Sequence, residues 1–167
     1  MEAQLSDAHA LSVDELRRLL AAVPESAGAQ SSIDPATLRT FLLVVYAAGL
    51  RRGEARRLKI EDVDLAQALI HVRETKFFKS RIVPLGTSLN EAIRPFATKR
   101  RKWLADSDST LFTKRDGTPL CDSTIGEVFK RLRTIAGIKR EGDSRNQPRL
   151  HDLRQNAECR KMPSDNV

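Results

Sequence analysis

The sequence predicts an α+β fold, mainly helical, whose helices surround a small three-stranded antiparallel sheet. Three observations predict it. Stretches with apolar residues at helical spacing, bounded by capping and stop signals, recur along most of the chain. One region, 68–85, instead reads as two extended segments either side of a basic tip. A length of 167 residues with 40% hydrophobic content is enough for about one domain with a substantial core.

Residues 1–10 carry no pattern and are read as a loose N-terminal end. Ser12-Val13-Asp14-Glu15 is a capping box, and Leu16, Leu19, Leu20 and Val23 form one apolar face of the helix it opens. Pro24 is expected to stop that helix, and 25–33 is a small polar loop. Asp34 as N-cap and Pro35 in the first turn open a second helix with Leu38, Phe41, Leu42, Val45 and Ala48 in phase. Tyr46, the single tyrosine, falls in this run and reads as a core or boundary residue, not a nucleophile. Gly49 can take positive φ and end the helix. A short helix over 54–58, a turn at Asp62-Val63-Asp64, a strand over 68–73, a tip over 76–79 and a returning strand over 80–85 follow.

Leu89, Ala92, Ile93, Phe96 and Ala97 mark a helix that runs to about residue 104. Leu111-Phe112-Thr113 is a short extended stretch and Asp116-Gly117 a turn. Asp122 or Ser123 caps a further helix with Ile125, Val128, Phe129, Leu132 and Ile135 inward, closed by Gly137. A basic, polar loop over 139–149 leads to Arg149-Leu150-His151-Asp152-Leu153-Arg154, read as a helix start. From Gln155 the apolar periodicity is lost.

The net charge of +7 is unevenly distributed: residues 1–34 carry −4 and residues 35–167 carry +11. A basic body suggests a polyanionic partner. No long basic amphipathic helix with interfacial aromatics is present, which weighs against an anionic membrane surface. Cys121 and Cys159 form no CxxC and no Cys/His cluster, so neither a zinc site nor a disulfide framework is expected, and the cytoplasm is the expected compartment.

Several side chains are candidates for phosphate chemistry. Arg51 sits at the turn after a core helix, with Glu54 three residues on to hold its guanidinium. That pattern also fits a surface ion pair between two helices. Lys76 and Lys79 at the hairpin tip, with Arg81 beyond, fit either a nucleic-acid groove or a solvated tip that blocks edge pairing. Lys99, Arg100, Arg101 and Lys102 fit either a phosphate-contacting patch or cations suited to a helix C-terminus. His151 and Arg154 project from one helical face and could both donate to phosphate oxygens; a packed histidine at a helix start fits too.

Taken together, Gly49-Leu50-Arg51-x-x-Glu54, Thr75-Lys76 with Arg81-x-Val83-Pro84-Leu85, and His151-Asp152-Leu153-Arg154 resemble the catalytic domain of the tyrosine recombinases, the phage-integrase family. The resemblance implies a domain over 11–154 that lacks the family's C-terminal helices, followed by an atypical, non-native tail over 155–167. It implies that Arg51 and Arg154 are the two catalytic arginines, His151 the histidine of H-x-x-R and Lys76 the hairpin lysine, with Glu54 supporting Arg51. The implied activity is DNA strand cleavage and rejoining through a 3′-phosphotyrosine, with no metal or other cofactor. The implied partners are double-stranded DNA and, on it, further copies of the chain or a protein supplying the tyrosine in trans. A non-catalytic DNA-binding module or a gene remnant is the alternative, because no tyrosine follows His151-x-x-Arg154.

Overall fold

The computed structural model describes residues 11–73, 79–103 and 109–154. The loose end over 1–10, the hairpin tip with Lys76 and the tail over 155–167 lie outside these residues. Five helices are described: α1 (Val13–Ser26), α2 (Pro35–Ala47), α3 (Arg52–Arg56), α4 (Thr87–Trp103) and α5 (Asp122–Ile135). Between α3 and α4 lies an antiparallel sheet of β1 (Val63–Asp64), β2 (Leu69–Val72) and β3 (Arg81–Pro84), in that spatial order. Ile70 pairs with Val63 on one side and Val83 on the other, which sets the register.

α2 is the central element, buried on almost every side, and α1, α3 and α4 pack on it. Its start follows from Asp34, whose carboxylate accepts from the Thr37 N–H at 3.1 Å and from the Thr37 hydroxyl at 2.6 Å. Phe41 on α2 meets Phe112 edge-on with centroids 5.3 Å apart, and Phe96 of α4 stacks on the other side of Phe112 at 5.7 Å. The extended stretch over 111–113 thus belongs to the core, and the Leu111 N–H anchors it by donating to the Leu58 carbonyl at 2.7 Å.

α1 starts at the expected capping box: Ser12 and Glu15 exchange backbone-to-side-chain bonds of 2.9 and 3.1 Å. Pro24 does not stop it. The helix runs on to Ser26, because the single intrahelical bond that proline removes is outweighed by packing on α5. Val23 and Ser26 are buried there, and the Ser26 carbonyl accepts from Arg131 of α5. Two other boundaries also move. Residues 62–64 are a 3-10 turn running into β1, not a free turn, because Val63 pairs with Ile70. Cys121 takes the N-cap of α5, with Asp122 already inside the helix.

Two arginines expected to face DNA donate to backbone carbonyls, Arg100 from a partly buried position and Arg101 from an exposed one. Arg100 donates through Nε to the Leu111 carbonyl at 3.1 Å and through Nη2 to Thr113 Oγ1 at 3.0 Å. Arg101 donates to the Val63 carbonyl. Both lie on the last turn of α4, within reach of carbonyls of the chain over 109–113 and of β1. Lys99 lies over the Trp103 ring at 5.8 Å, and Lys102 is exposed.

The loop over 139–149 is held to α1 by a two-pronged ion pair. Arg140 donates to Glu15 at 2.6 and 2.9 Å. Those bonds hold the Glu15 carboxyl below its usual range, against the opposing effect of burial.

Two outcomes follow from this packing. Arg100→Ala should cost about 1–3 kcal/mol of unfolding free energy in urea. Because the folded pKa of Glu15 lies below its unfolded value of roughly 4.3, its stabilisation is present above that pH and is lost as pH falls through the folded value. Glu15→Gln should therefore be less stable than the parent at neutral pH, with the gap closing in urea titrations at progressively more acid pH.

Candidate functional site

The site begins where α2 ends. Ala48 caps the helix by donating to the Val44 carbonyl at 3.1 Å, and Gly49 then turns the chain with φ of 66°. That conformation is the left-handed one that a side chain disfavours, which is the physical use of glycine here. Leu50 is fully buried and fixes the direction of the next residue. Arg51 is extended and serves as N-cap of α3, with its guanidinium half exposed.

Behind Arg51 lies Glu54, whose side chain is only 4% exposed. Its Oε2 accepts from the Arg51 backbone N–H at 2.8 Å, and its Oε1 from Arg51 Nη1 at 3.4 Å. The stronger partner is Arg81, at the start of β3, which donates through Nη1 and Nη2 at 2.8 and 2.9 Å. Burial pushes the Glu54 carboxyl up, but the Arg81 bonds, the Arg51 N–H and the two positive charges outweigh it and hold it below its usual range. The same pairing raises Arg81 above the ordinary arginine value. Arg81, expected to contact DNA, is thus committed to Glu54 while its side chain stays 38% exposed.

The segment over 149–154 closes the site from the other end of the chain. Leu150 and Leu153 are buried and hold this turn, which passes at 152–154 into the expected helix start, to the core. Asp152 is buried too, and its carboxylate accepts from the Arg149 N–H at 2.6 Å and lies 2.9 Å from His151 Nε2. The imidazole is thus oriented by one carboxylate while remaining 62% exposed, with Nδ1 left for another partner. Arg154 donates through Nε to the Gly49 carbonyl at 3.0 Å. One glycine thus gives the turn that places Arg51 and the acceptor that holds Arg154.

Arg51, His151 and Arg154 line one open hollow of about 870 Å³ between the Gly49 turn, α5 and the 149–154 turn. Among the described residues its wall has six cationic side chains and a histidine, and no carboxylate. Four of the cations, Arg52, Lys130, Arg133 and Arg149, were not singled out in the sequence. A signal for two of them was present: Gly126, Phe129, Lys130 and Arg133 follow helical spacing and form one stripe of α5. The hollow does not include Lys79, Arg81 or any of Lys99, Arg100, Arg101 and Lys102. Lys76 lies outside the described residues. Among the described residues no cluster of His, Cys, Asp and Glu could hold a metal ion, and no helix is long and apolar enough to cross a membrane. Fixed, converging cationic donors around a half-apolar hollow suit a singly charged phosphodiester, whose non-bridging oxygens accept several N–H bonds at once.

Similarity to known proteins agrees with this geometry. The sequence model of the phage integrase family matches residues 9–160. The chain is 35% identical over 147 residues to a putative integrase/recombinase, y4rB, of Sinorhizobium fredii, covering 86% of this chain and 46% of the relative. It is 37% identical over 133 residues to the tyrosine recombinase XerA of Thermococcus kodakarensis, covering 78% and 43%. The chain thus spans about half the length of the curated relatives it matches. Among solved structures, a XerA recombinase superposes with a TM-score of 0.70 at 27% identity, covering 95% of this chain and 52% of that one. The catalytic core of lambda integrase superposes at 0.64 over 89% of this chain and 80% of that one, a likeness of fold at 22% identity. The helices around a three-stranded antiparallel sheet, the basic hollow at the Gly49 turn and the family match over nearly the whole chain lead to one conclusion: the chain belongs to the phage integrase family of tyrosine recombinases.

Proposed function

We propose that this chain binds double-stranded DNA and holds one scissile phosphodiester in the hollow, as the phosphate-binding part of a site-specific DNA strand-transfer reaction. The observation that supports this reading most is the meeting of Arg51, His151 and Arg154 on one cationic wall although 100 residues of chain separate the first from the second. In such a reaction a tyrosine oxygen attacks phosphorus, the 5′-oxygen leaves with a proton, and the 3′-phosphotyrosyl bond keeps the energy for rejoining. Arg51 and Arg154 would stabilise charge on the non-bridging oxygens. His151, oriented by Asp152, would bridge the same phosphate or take the tyrosine proton. Lys76 would give a proton to the leaving oxygen. Lys79, close to the hairpin tip, and Lys102 remain candidates for further DNA backbone contacts.

The single tyrosine, Tyr46, is 6% exposed within α2 and does not line the hollow. The attacking tyrosine would come from a polypeptide segment other than the 167 residues described by this sequence. Solved relatives include a lambda integrase tetramer bound to a Holliday junction, and an assembly of that kind would bring such a segment close. A DNA substrate also implies a cytoplasmic location. The burial of Tyr46 favours, as a second reading, a DNA-binding module without cleavage activity.

Binding and cleavage separate these readings. Arg51→Ala and Arg154→Ala should each weaken duplex binding and reduce the slope of log affinity against log salt by about 0.9, the loss of one phosphate contact. Slopes equal to the parent's would remove the phosphate from the hollow. On a nicked suicide duplex the 167-residue chain should form no covalent adduct by itself. Mixing it with a family recombinase whose own Arg51 equivalent is removed but whose tyrosine is intact should produce one. Continued absence of an adduct in the mixture would leave the binding module as the function.

A further inference from the structure

Arg81 lies outside the hollow, yet its position bears on the hollow's chemistry. Its guanidinium forms both short bonds to Glu54, while Arg51 reaches the same carboxylate with a single 3.4 Å side-chain contact and remains 55% exposed. A buried carboxylate next to two guanidinium groups will bind most strongly to whichever partner presents two parallel N–H bonds. As long as Arg81 does so, Arg51 has most of its five donors available to the hollow.

We propose that Arg81 is a positioning residue that keeps Arg51 available to phosphate by occupying Glu54. Without Arg81, Glu54 would be a buried anion whose cationic partner among the described residues is Arg51, within reach by side-chain rotation. The low-dielectric surroundings make an unpaired charge costly, so the Arg51 guanidinium would be drawn into a two-pronged pair. Its charge would then be matched internally and its N–H donors turned from the hollow. The β3 strand and the hairpin it leads from would by this route be coupled to the Arg51 turn, across the 27 residues that separate Glu54 from Arg81. The inference rests on the proposal that the hollow holds a phosphate.

The test compares salt slopes of binding to a short mixed-sequence duplex, with far-UV circular dichroism to establish that each variant is folded. R81M should lower the slope by about 0.9, as R51A does, although it removes no residue of the hollow. R51A/R81M should lose no more than R51A by itself. In E54Q/R81M the side-chain amide carbonyl introduced at position 54 can still cap the Arg51 N–H, but no carboxylate draws the guanidinium inward, so the parent slope should return. This last variant carries no unpaired buried charge, so it keeps the test decisive if R81M fails to fold. An Arg81 that touches DNA directly would instead make R51A/R81M lose about 1.8 and leave E54Q/R81M short by about 0.9, which would overturn the inference. If R51A itself leaves the slope unchanged, it is the phosphate reading of the hollow that fails.

Discussion

The buried carboxylate of Glu54 is the interaction on which the site depends. It accepts from the Arg51 backbone, the Arg51 side chain and both ends of Arg81, and so joins pieces of chain that no covalent geometry would bring together. Its first bond caps α3 and sets the direction of Arg51. Its last two fasten the sheet to the corner after α2. Breaking a buried pair of this kind by removing one partner commonly costs about 3–5 kcal/mol, less where the other partner is partly exposed as Arg81 is. The arrangement is therefore both a stability element and a means of pointing a cation at solvent. Those two roles are compatible because Arg81 supplies the two short side-chain bonds to Glu54, and Arg51 only one longer one.

A second constraint acts from the far end of the chain. The 149–154 turn is held by Leu150 and Leu153 in the core, by Asp152 under its own backbone, and by Arg154 against the Gly49 carbonyl. Glu15 pairs with Arg140, and Arg133 donates to the Pro148 carbonyl at 2.7 Å, so the loop before His151 is fastened at two further points. Burial draws Arg133 below the ordinary arginine value, yet it stays charged. The hollow is thus bounded by cations whose backbones are each fixed by separate means. Preorganisation of this sort is what would make charge stabilisation of a bound anion effective, since the donors are already in place.

The chain's many arginines serve two uses that composition does not distinguish, and Arg154, which donates to the Gly49 carbonyl and lines the hollow, serves both. Arg100, Arg101, Arg115 and Arg131 donate to backbone carbonyls and tie segments distant in sequence. Arg51, Arg149 and Arg154 face the hollow. A guanidinium has five donors and a long apolar stem, so it can close gaps between loops as readily as it can bind an anion. In the run Lys99-Arg100-Arg101-Lys102 the two arginines donate to carbonyls, Lys99 lies over Trp103 and Lys102 is exposed, because a helix sets successive side chains about 100° apart.

The helices and their order were legible because caps and apolar periodicity are local: Ser12 with Glu15, Asp34 with Pro35 and Gly137 after α5 each act within one turn of chain. The errors also share a physical reason. Helix α1 passes Pro24 because α5 packs on it, and Val63 is a strand because Ile70 is beside it, and neither neighbour is visible in the local pattern. For the site, sequence by itself determined the types and spacing of the side chains at the Gly49 turn and at His151-x-x-Arg154, and with them the likeness to a family, since motif spacing is set along the chain. Only the tertiary structure decided that Arg81 pairs with Glu54, that Lys130 and Arg133 share a wall with Arg51, and that Arg100 and Arg101 donate to backbone carbonyls. Those outcomes depend on which carbonyls and carboxylates are left without donors once the helices have packed, and that inventory exists only in the folded chain.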